Sequence, residues 1–407
     1  MNKQVYPWVL VGLLSFNFGV VYFDRNTINF LMPLIQPELH LSNSQVGWLA
    51  AALGASWALA GFGIGRLSDA TGQRKMLLVI CALVFSASSV LQGWAAGFTM
   101  LIATRILMGL AEGGVMPISQ ALIAAEVDPA RRGLAMGITQ NFGANLLSNF
   151  LGPIVVVAIA VAFGWRRAFY LAGIPGVLAA LLMIFLIREP TREEQAKQAA
   201  AVTAPVGSGA WKHRNVLLCV VLSILLVAFV VVWATFMPLY LINVRHLSPT
   251  VMSWLMSTFG LTSMGFAFLV PGSSDVLGRR PVAIAMSLIG ALIPLSALFV
   301  DQPLWLVFVL SGLGAAVSGV FPLVMATIPS ETVPPHQLAT ALGLTMGFGE
   351  IIGGVFAPMI AGSVADAYGL QVTLWILVGL SVVTCLLACF LQETAPRVLH
   401  RRVAATI

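Results

Sequence analysis

Twelve apolar runs of about 20 residues punctuate this 407-residue chain, each long enough to cross the hydrocarbon core of a bilayer as a helix. They fall near 7–36, 45–65, 76–96, 98–121, 133–161, 167–187, 215–242, 250–271, 281–300, 303–328, 338–362 and 371–392. Backbone polar groups in lipid must be satisfied within the segment, so runs of this kind form helices. Hydrophobic residues make up 59% of the chain and charged ones 9%, more apolar surface than a soluble domain hides. The expected class is an all-α polytopic membrane protein. Its basic balance belongs to loops and reports topology, with no nucleic-acid partner implied. Twelve spans put both termini on one side, and placing them in the cytoplasm leaves only Arg166, Arg167 and Arg245 outside and Arg25 and Arg105 within the membrane. The remaining Lys and Arg are then cytoplasmic, as the positive-inside rule requires. The first run contains Asp24-Arg25 and far exceeds a signal-peptide core, so no cleavable signal is expected.

The spans repeat. Met32-Pro-Leu returns as Met237-Pro-Leu, Trp48 as Trp254, Asp69 as Asp275, Pro117 as Pro322, Glu126 as Glu331 and Gly137 as Gly343, all at an offset of about 205 residues. Two six-helix bundles related by a parallel repeat follow, 1–187 and 215–392. A charged cytoplasmic connector at 188–214 joins them, and a tail at 393–407 ends the chain.

Against this apolar background the charges inside spans stand out. Asp24 and Arg25 lie mid-way along span one, and an ionised group there costs about 2.5–3.5 kcal/mol on insertion scales, so both need partners or a wet cavity. Span four supplies Arg105 and Glu112, seven residues and about 10 Å apart on nearly one face. A crossed arrangement is expected, Asp24 with Arg105 and Arg25 with Glu112. A static salt-bridge network is the alternative to a titratable site. At the repeat offset these four positions hold Phe229, Val230, Leu310 and Val317, so only the first half carries the charged centre. Glu350 on span eleven is a third intramembrane carboxylate. Asn141, Asn145, Ser148 and Asn149 on span five share a face at helical spacing and read as a polar wall. Trp57, Trp233 and Trp254 are aromatic candidates for the same cavity.

All five histidines map to loops or span ends, so proton handling in the membrane falls to carboxylates. Cys81, Cys219, Cys385 and Cys389 lie in apolar runs and read as small buried hydrophobes. No metal-ligand cluster or Gly-x-Ser-x-Gly appears. An enzyme is not expected, nor is a metal or cofactor beyond a proton gradient.

Two short loops carry a recognisable pattern, Gly65-Arg-Leu-Ser-Asp-Ala-Thr-Gly-Gln-Arg-Lys75 and Asp275-Val-Leu-Gly-Arg-Arg280. They resemble the signature of the major facilitator superfamily. The resemblance implies a cytoplasmic gate made of Gly65, Asp69, Gly72, Arg74, Lys75, Asp275, Gly278, Arg279 and Arg280. In it Gly65 permits close helix approach, and Asp69 accepts from a helix N-terminus. The second copy has Pro271 where a leading glycine is expected.

Tyr22-x-Asp24-Arg25 with Arg105 and Glu112 resembles the anion:cation symporter family within that superfamily, as do Phe236-Met-Pro-Leu-Tyr-Leu241 and Gly164-Trp-Arg-Arg-Ala-Phe169. That family includes galactonate, hexuronate and phthalate-type permeases. The resemblance implies proton coupling at Asp24 and Glu112 and a substrate carboxylate on Arg25. Glu350, which departs from the family's usual Asn, is a further coupling candidate, and Tyr22, Trp57, Arg105, Asn145, Asn149, Trp233 and Tyr240 are candidate substrate contacts. Trp57 and Gly61 stand where the family usually carries Tyr and Gln, which shifts weight from sugar acids toward aromatic or more apolar carboxylates. The expected function is proton-coupled import of small organic anions by a monomer in a bacterial-type inner membrane. A spinster-like lysolipid or sphingoid transporter and an organic-anion exporter are the alternatives.

Overall fold

The computed structural model describes residues 5–128, 131–189 and 209–399. Most of the 188–214 connector, Lys3, His400 and the end of the tail lie outside the described residues. Among the described residues twelve helices are long and apolar enough to cross a membrane: α1 Tyr6–Glu38, α2 Asn43–Thr71, α3 Arg74–Gly93, α4 Phe98–Glu126, α5 Arg132–Phe163, α6 Trp165–Leu186, α7 Arg214–Asn243, α8 Pro249–Leu277, α9 Arg279–Phe299, α10 Leu304–Thr332, α11 Pro335–Tyr368 and α12 Gln371–Ala388. Each expected run falls on its own helix, with 76–96 and 371–392 running three and four residues past the helix end, and large apolar side chains such as Leu59, Phe62 and Phe185 stand exposed on them, as lipid-facing residues do.

Two compact units form, one from 1–203 with 248–257, the other from 204–247 with 258–407. The start of α8 therefore groups with the first unit rather than with the stretch 215–392. The repeat is written into the backbone as well as the sequence. Positive φ occurs at His40 (51°) and His246 (52°), at Gly72 (71°) and Gly278 (108°), and at Gly164 (89°) and Gly369 (85°). Each pair is displaced by the same offset of about 205 residues. Widened π-helical turns repeat too, at Ala144–Leu151 in α5 and Gly349–Phe356 in α11.

Local chemistry sets the helix ends. Ser42 and Gln45 form a reciprocal capping box at the start of α2. Gly72 ends α2 in the left-handed conformation, its N–H on the Ser68 carbonyl.

Backbone-to-backbone approach sets the crossings in the first unit. A Cβ added at Gly113 would stand 2.5 Å from the Trp57 carbonyl oxygen, and one at Gly109 2.6 Å from that of Leu53, so Gly109-x-x-x-Gly113 seats α4 directly on α2. Gly61 belongs to the same contact, its missing Cβ 3.3 Å from the Gly113 carbonyl. The small residue there serves helix packing. Gly143 of α5 is pressed in the same way against the Ser15 carbonyl of α1. Around these crossings Leu14, Phe85, Met108, Leu122 and Met183 form the core of the first unit.

Candidate functional site

Adjacent residues on a helix point about 100° apart, and Asp24 and Arg25 use this to face different neighbours. Asp24 is fully buried, with the Ser89 hydroxyl of α3 beside its carboxylate. Arg25 is half-buried, and its guanidinium carbon stands 5.6 Å from the Tyr22 ring centroid and 5.7 Å from that of Trp57. Among the described residues it makes no side-chain hydrogen bond or ion pair. Two rings thus hold the cation in place while leaving its N–H fork unspent.

The crossed ion pairs do not form. Arg105 Nη1 donates to the backbone carbonyl of Arg25 at 2.9 Å and approaches Met108 Sδ at 3.7 Å, and no N–O distance within 4 Å joins either arginine to Asp24 or Glu112. The reason is rotational. α4 meets α1 at the Arg25 backbone, so Arg105 is used on the carbonyl before it reaches a carboxylate. The carboxylate oxygens of Asp24 and Glu112 have no protein hydrogen-bond partner. The four groups still act on one another's charge, Glu112 with Arg25 and Arg105, and Arg105 with Asp24. They form a compensated set of two cations and two anions without a fixed pair, which argues against a static salt-bridge clamp.

The polar face of α5 is divided by its π-helical turns, which shift register relative to ordinary helical spacing. Ser148 is buried and donates to the Tyr22 carbonyl at 2.8 Å while accepting from Asn26 Nδ2 at 3.0 Å. Asn29 extends the chain to Asn26. Asn145 and Asn149 bond each other at 3.0 Å, and Asn141 is exposed. Ser148 is therefore helix-joining and only Asn145 and Asn149 remain as a half-exposed polar pair, so the four do not share one face. Asn26 and Asn29 went unread in the sequence, although polar residues one turn beyond Asp24-Arg25 were a visible signal.

In the second unit Glu350 occupies the place in its π-helical segment that Asn145 holds in the first, and its carboxylate lies over Gly354 as Asn145 lies over Asn149. Trp233 is buried with its ring centroid 4.0 Å from that of Phe259, and the buried Tyr240 hydroxyl reaches the Ala297 carbonyl at 3.5 Å. Both side chains are engaged within their own unit. His40, His213, His246 and His336 lie between helices or at helix ends.

Both signature loops are ordered by a carboxylate that sequence analysis left unassigned. Glu189 accepts from the Lys75 N–H at the start of α3, and Glu393 accepts from the Arg279 and Arg280 N–H groups at the start of α9. A carboxylate there satisfies open donors and opposes the helix dipole. Asp69 instead pairs with Arg74 at 3.9 Å and is 76% exposed, so within its unit it is not the cap of α3. Gly65 faces Pro117, where an added Cβ would find ordinary contact at 3.7 Å, so close approach to α4 does not require a glycine there. Pro271 does not weaken the second loop. Buried Arg279 reaches Asp275 at 2.6 Å, Glu331 at 2.9 Å, Ser274 Oγ at 2.6 Å and the Pro271 carbonyl at 3.4 Å.

Twelve spans in two repeated units, with a buried charge cluster in one of them, describe a multi-pass transporter rather than an enzyme. The model of the Major Facilitator Superfamily matches residues 14–249 and 233–405, and the chain belongs to that superfamily. Secondary transporters of this fold need no cofactor. Among its relatives, the hexuronate transporter of Bacillus subtilis (strain 168) is 30% identical over 279 residues, 65% of this chain and 64% of that one. The match thus spans just under two thirds of that relative's length. The probable 4-methylmuconolactone transporter of Cupriavidus pinatubonensis is 28% identical over 344 residues, 81% of this chain and 78% of its own. The hexuronate relative is of the permease type that the charges of α1 and α4 resemble. A crystal structure of a bacterial homolog of the human lysosomal transporter Spinster, 18% identical, superposes with a TM-score of 0.72 over 94% of this chain and 96% of its own, which shows the shared fold alone.

Proposed function

We propose that the protein is a proton-coupled importer of small organic anions, with aromatic or apolar carboxylates favoured over sugar acids. It works in a bacterial-type inner membrane as a monomer with both termini cytoplasmic. The observation that carries this reading is Arg25, an unpaired guanidinium fork held between the rings of Tyr22 and Trp57 beside two buried acids. A substrate carboxylate takes the fork in bidentate fashion, and the ring faces suit a flat or apolar substrate body.

Substrate binding then alters a balanced set. With no substrate, Arg25 and Arg105 offset Asp24 and Glu112. An incoming carboxylate on Arg25 leaves one negative charge in excess within a dry site, and a proton taken by Glu112 or Asp24 restores neutrality. The loaded, compensated site can close without stranding a charge in low dielectric, and the two halves alternate access around it. Reopening inward releases substrate and proton. With one proton per carboxylate this step is electroneutral, and each further proton carried in gains about 2.3 kcal/mol per 100 mV of inside-negative potential. Asn145, Asn149, Trp233 and Tyr240 are assigned to the substrate path and Glu350 to proton coupling, and Arg74, Lys75, Arg279 and Arg280 with their loops to the gate.

The test records luminal pH in proteoliposomes with a trapped dye while sugar acids, aromatic acids and lysolipids are added in turn. Acidification by one carboxylate class, abolished in Asp24→Asn while exchange persists, supports the proposal. An Asp24→Asn protein that still concentrates substrate removes the coupling role. Silence to every carboxylate with lysolipid-dependent proton movement replaces the proposal with a lysolipid transporter.

A further inference from the structure

Three helices of the first unit meet at Asp24. Its carboxylate on α1 has the Ser89 hydroxyl of α3 beside it, and among the described residues Ser89 is the one side-chain hydrogen-bond donor there. In the structure that hydroxyl donates instead to the Phe169 carbonyl of α6 at 3.3 Å, while both Asp24 oxygens lack a hydrogen bond. All three residues are fully buried. Gly173 and Gly176 of α6 press onto Ser86 of α3, which keeps these two helices in direct contact at this level.

The neighbouring serines behave differently. Ser86 and Ser88 donate to carbonyls one turn back on α3, those of Ala82 and Val84, each at 2.8 Å. A serine inside a helix commonly rests there. Ser89 makes a longer bond across helices, and the Phe169 carbonyl does not depend on it, because it already accepts from the Gly173 N–H at 3.2 Å. A hydroxyl has one proton to donate, so Ser89 serves Phe169 or Asp24 at any moment. Leaving Phe169 strands no group, whereas an ionised carboxylate without a donor in a dry site is costly. At the repeat offset Asp24 and Ser89 become Phe229 and Pro294, so acid and hydroxyl disappear together. The charged groups acting on Asp24 are Glu112 and Arg105 of α4. The titratable side chains of α3 (Arg74, Lys75, Cys81) and of α6 (Arg166, Arg167, Tyr170) are not among them, and Tyr170 spends its hydroxyl on the Gly93 carbonyl.

We propose that Ser89 is the positioning residue of Asp24, a hydroxyl that turns between the Asp24 carboxylate and the Phe169 carbonyl as the acid loses and gains its proton. Ionised Asp24 accepts the Ser89 O–H. When the carboxylate takes a proton, its new O–H donates to Ser89 Oγ, and the serine O–H swings to the Phe169 carbonyl. Ser89 keeps its own proton throughout. Each protonation of α1 thereby makes a link from α3 to α6, and each deprotonation breaks it. This rests on the proton-coupled reading of Asp24.

The experiment titrates the full-length protein in lipid bilayers and follows the carboxylic C=O band by infrared difference spectroscopy. The band absent from Asp24→Asn belongs to Asp24. In Ser89→Ala its midpoint should move to higher pH by about half to one unit, roughly a three- to tenfold gain in proton affinity. The ionised form loses a charge-assisted bond there and the neutral form only an ordinary one. Ser89→Thr keeps the hydroxyl and should hold the wild-type midpoint. A wild-type midpoint in Ser89→Ala overturns the proposal and leaves the serine as a helix link, whose loss lowers Tm alone. A shift of equal size in Ser89→Thr overturns it too, as does a wild-type protein in which no band depends on Asp24. Substrate-driven acidification of proteoliposomes, recorded against pH, should shift by the same interval in Ser89→Ala. If no carboxylate acidifies the lumen with wild type, the proton-coupled reading fails, and the infrared midpoint still decides the role of Ser89.

Discussion

Gly113→Ala tests whether helix packing sets the geometry of the charged site. The added methyl would meet three groups that have little freedom to yield, the Trp57 carbonyl at 2.5 Å, Ala60 Cβ at 2.7 Å and the Gly61 nitrogen at 2.7 Å. Ordinary contact lies near 3.4 Å, so α2 and α4 must part by about 0.9 Å at the turn that carries Trp57. Overpacking of this kind costs about 1–3 kcal/mol. For a unit of this size each kcal/mol lowers Tm by about 2–4 °C, which predicts a fall of about 2–12 °C in detergent. The Trp57 ring, now 5.7 Å from Arg25, travels with its backbone past the reach of about 6 Å at which a ring still attracts the cation. Losing that contact is worth about 0.5–1 kcal/mol, or a two- to fivefold rise in carboxylate Kd. Thermal unfolding followed by size exclusion and equilibrium binding give the two readings. Gly65→Ala, whose Cβ finds open contact at 3.7 Å, is the stability control and should leave Tm unchanged. A Gly113→Ala protein with wild-type Tm and wild-type affinity would refute the claim that this crossing positions Trp57 on Arg25.

Three further outcomes follow from the same geometry. Arg25→Lys keeps the charge but loses the fork, and carboxylate binding should weaken by about 1.5–3 kcal/mol, roughly ten- to a hundredfold, in an equilibrium binding assay. Unchanged affinity would take Arg25 out of the binding site. Arg279→Ala leaves exposed Asp275 to solvent and Glu331 on the Thr394 hydroxyl and should cost about 1–3 kcal/mol of stability, whereas exposed Arg280→Ala should stay within about 0.5, both read as Tm shifts. Equal shifts would remove the buried network as their cause. Ser148→Ala cuts the link from α5 to the Tyr22 carbonyl and Asn26 and should destabilise by about 1–3 kcal/mol, while exposed Asn141→Ala should be near neutral. Equal effects would restore a single functional stripe on α5.

The sequence by itself determined the twelve spans, their repeat and the confinement of intramembrane arginines to the first half, because insertion into a bilayer is a local free-energy balance that each apolar run settles alone. It also announced that Asp24, Arg25, Arg105 and Glu112 need company. Their partners were decided only by the tertiary structure. Seven-residue spacing puts Arg105 and Glu112 on one face, yet the rotation of α4 about its axis gives Arg105 the Arg25 carbonyl and leaves both acids without a hydrogen bond. The same dependence holds for α5, where π-helical turns separate Ser148 from Asn141, and for Glu189 and Glu393, which reach helices more than a hundred residues away. Interhelical distance and rotation arise from small residues meeting across crossings, Gly109 and Gly113 of α4 against α2 and Gly143 of α5 against α1. Such contacts join positions far apart in the chain, so one-dimensional spacing names the charged residues of this protein but cannot assign their bonds.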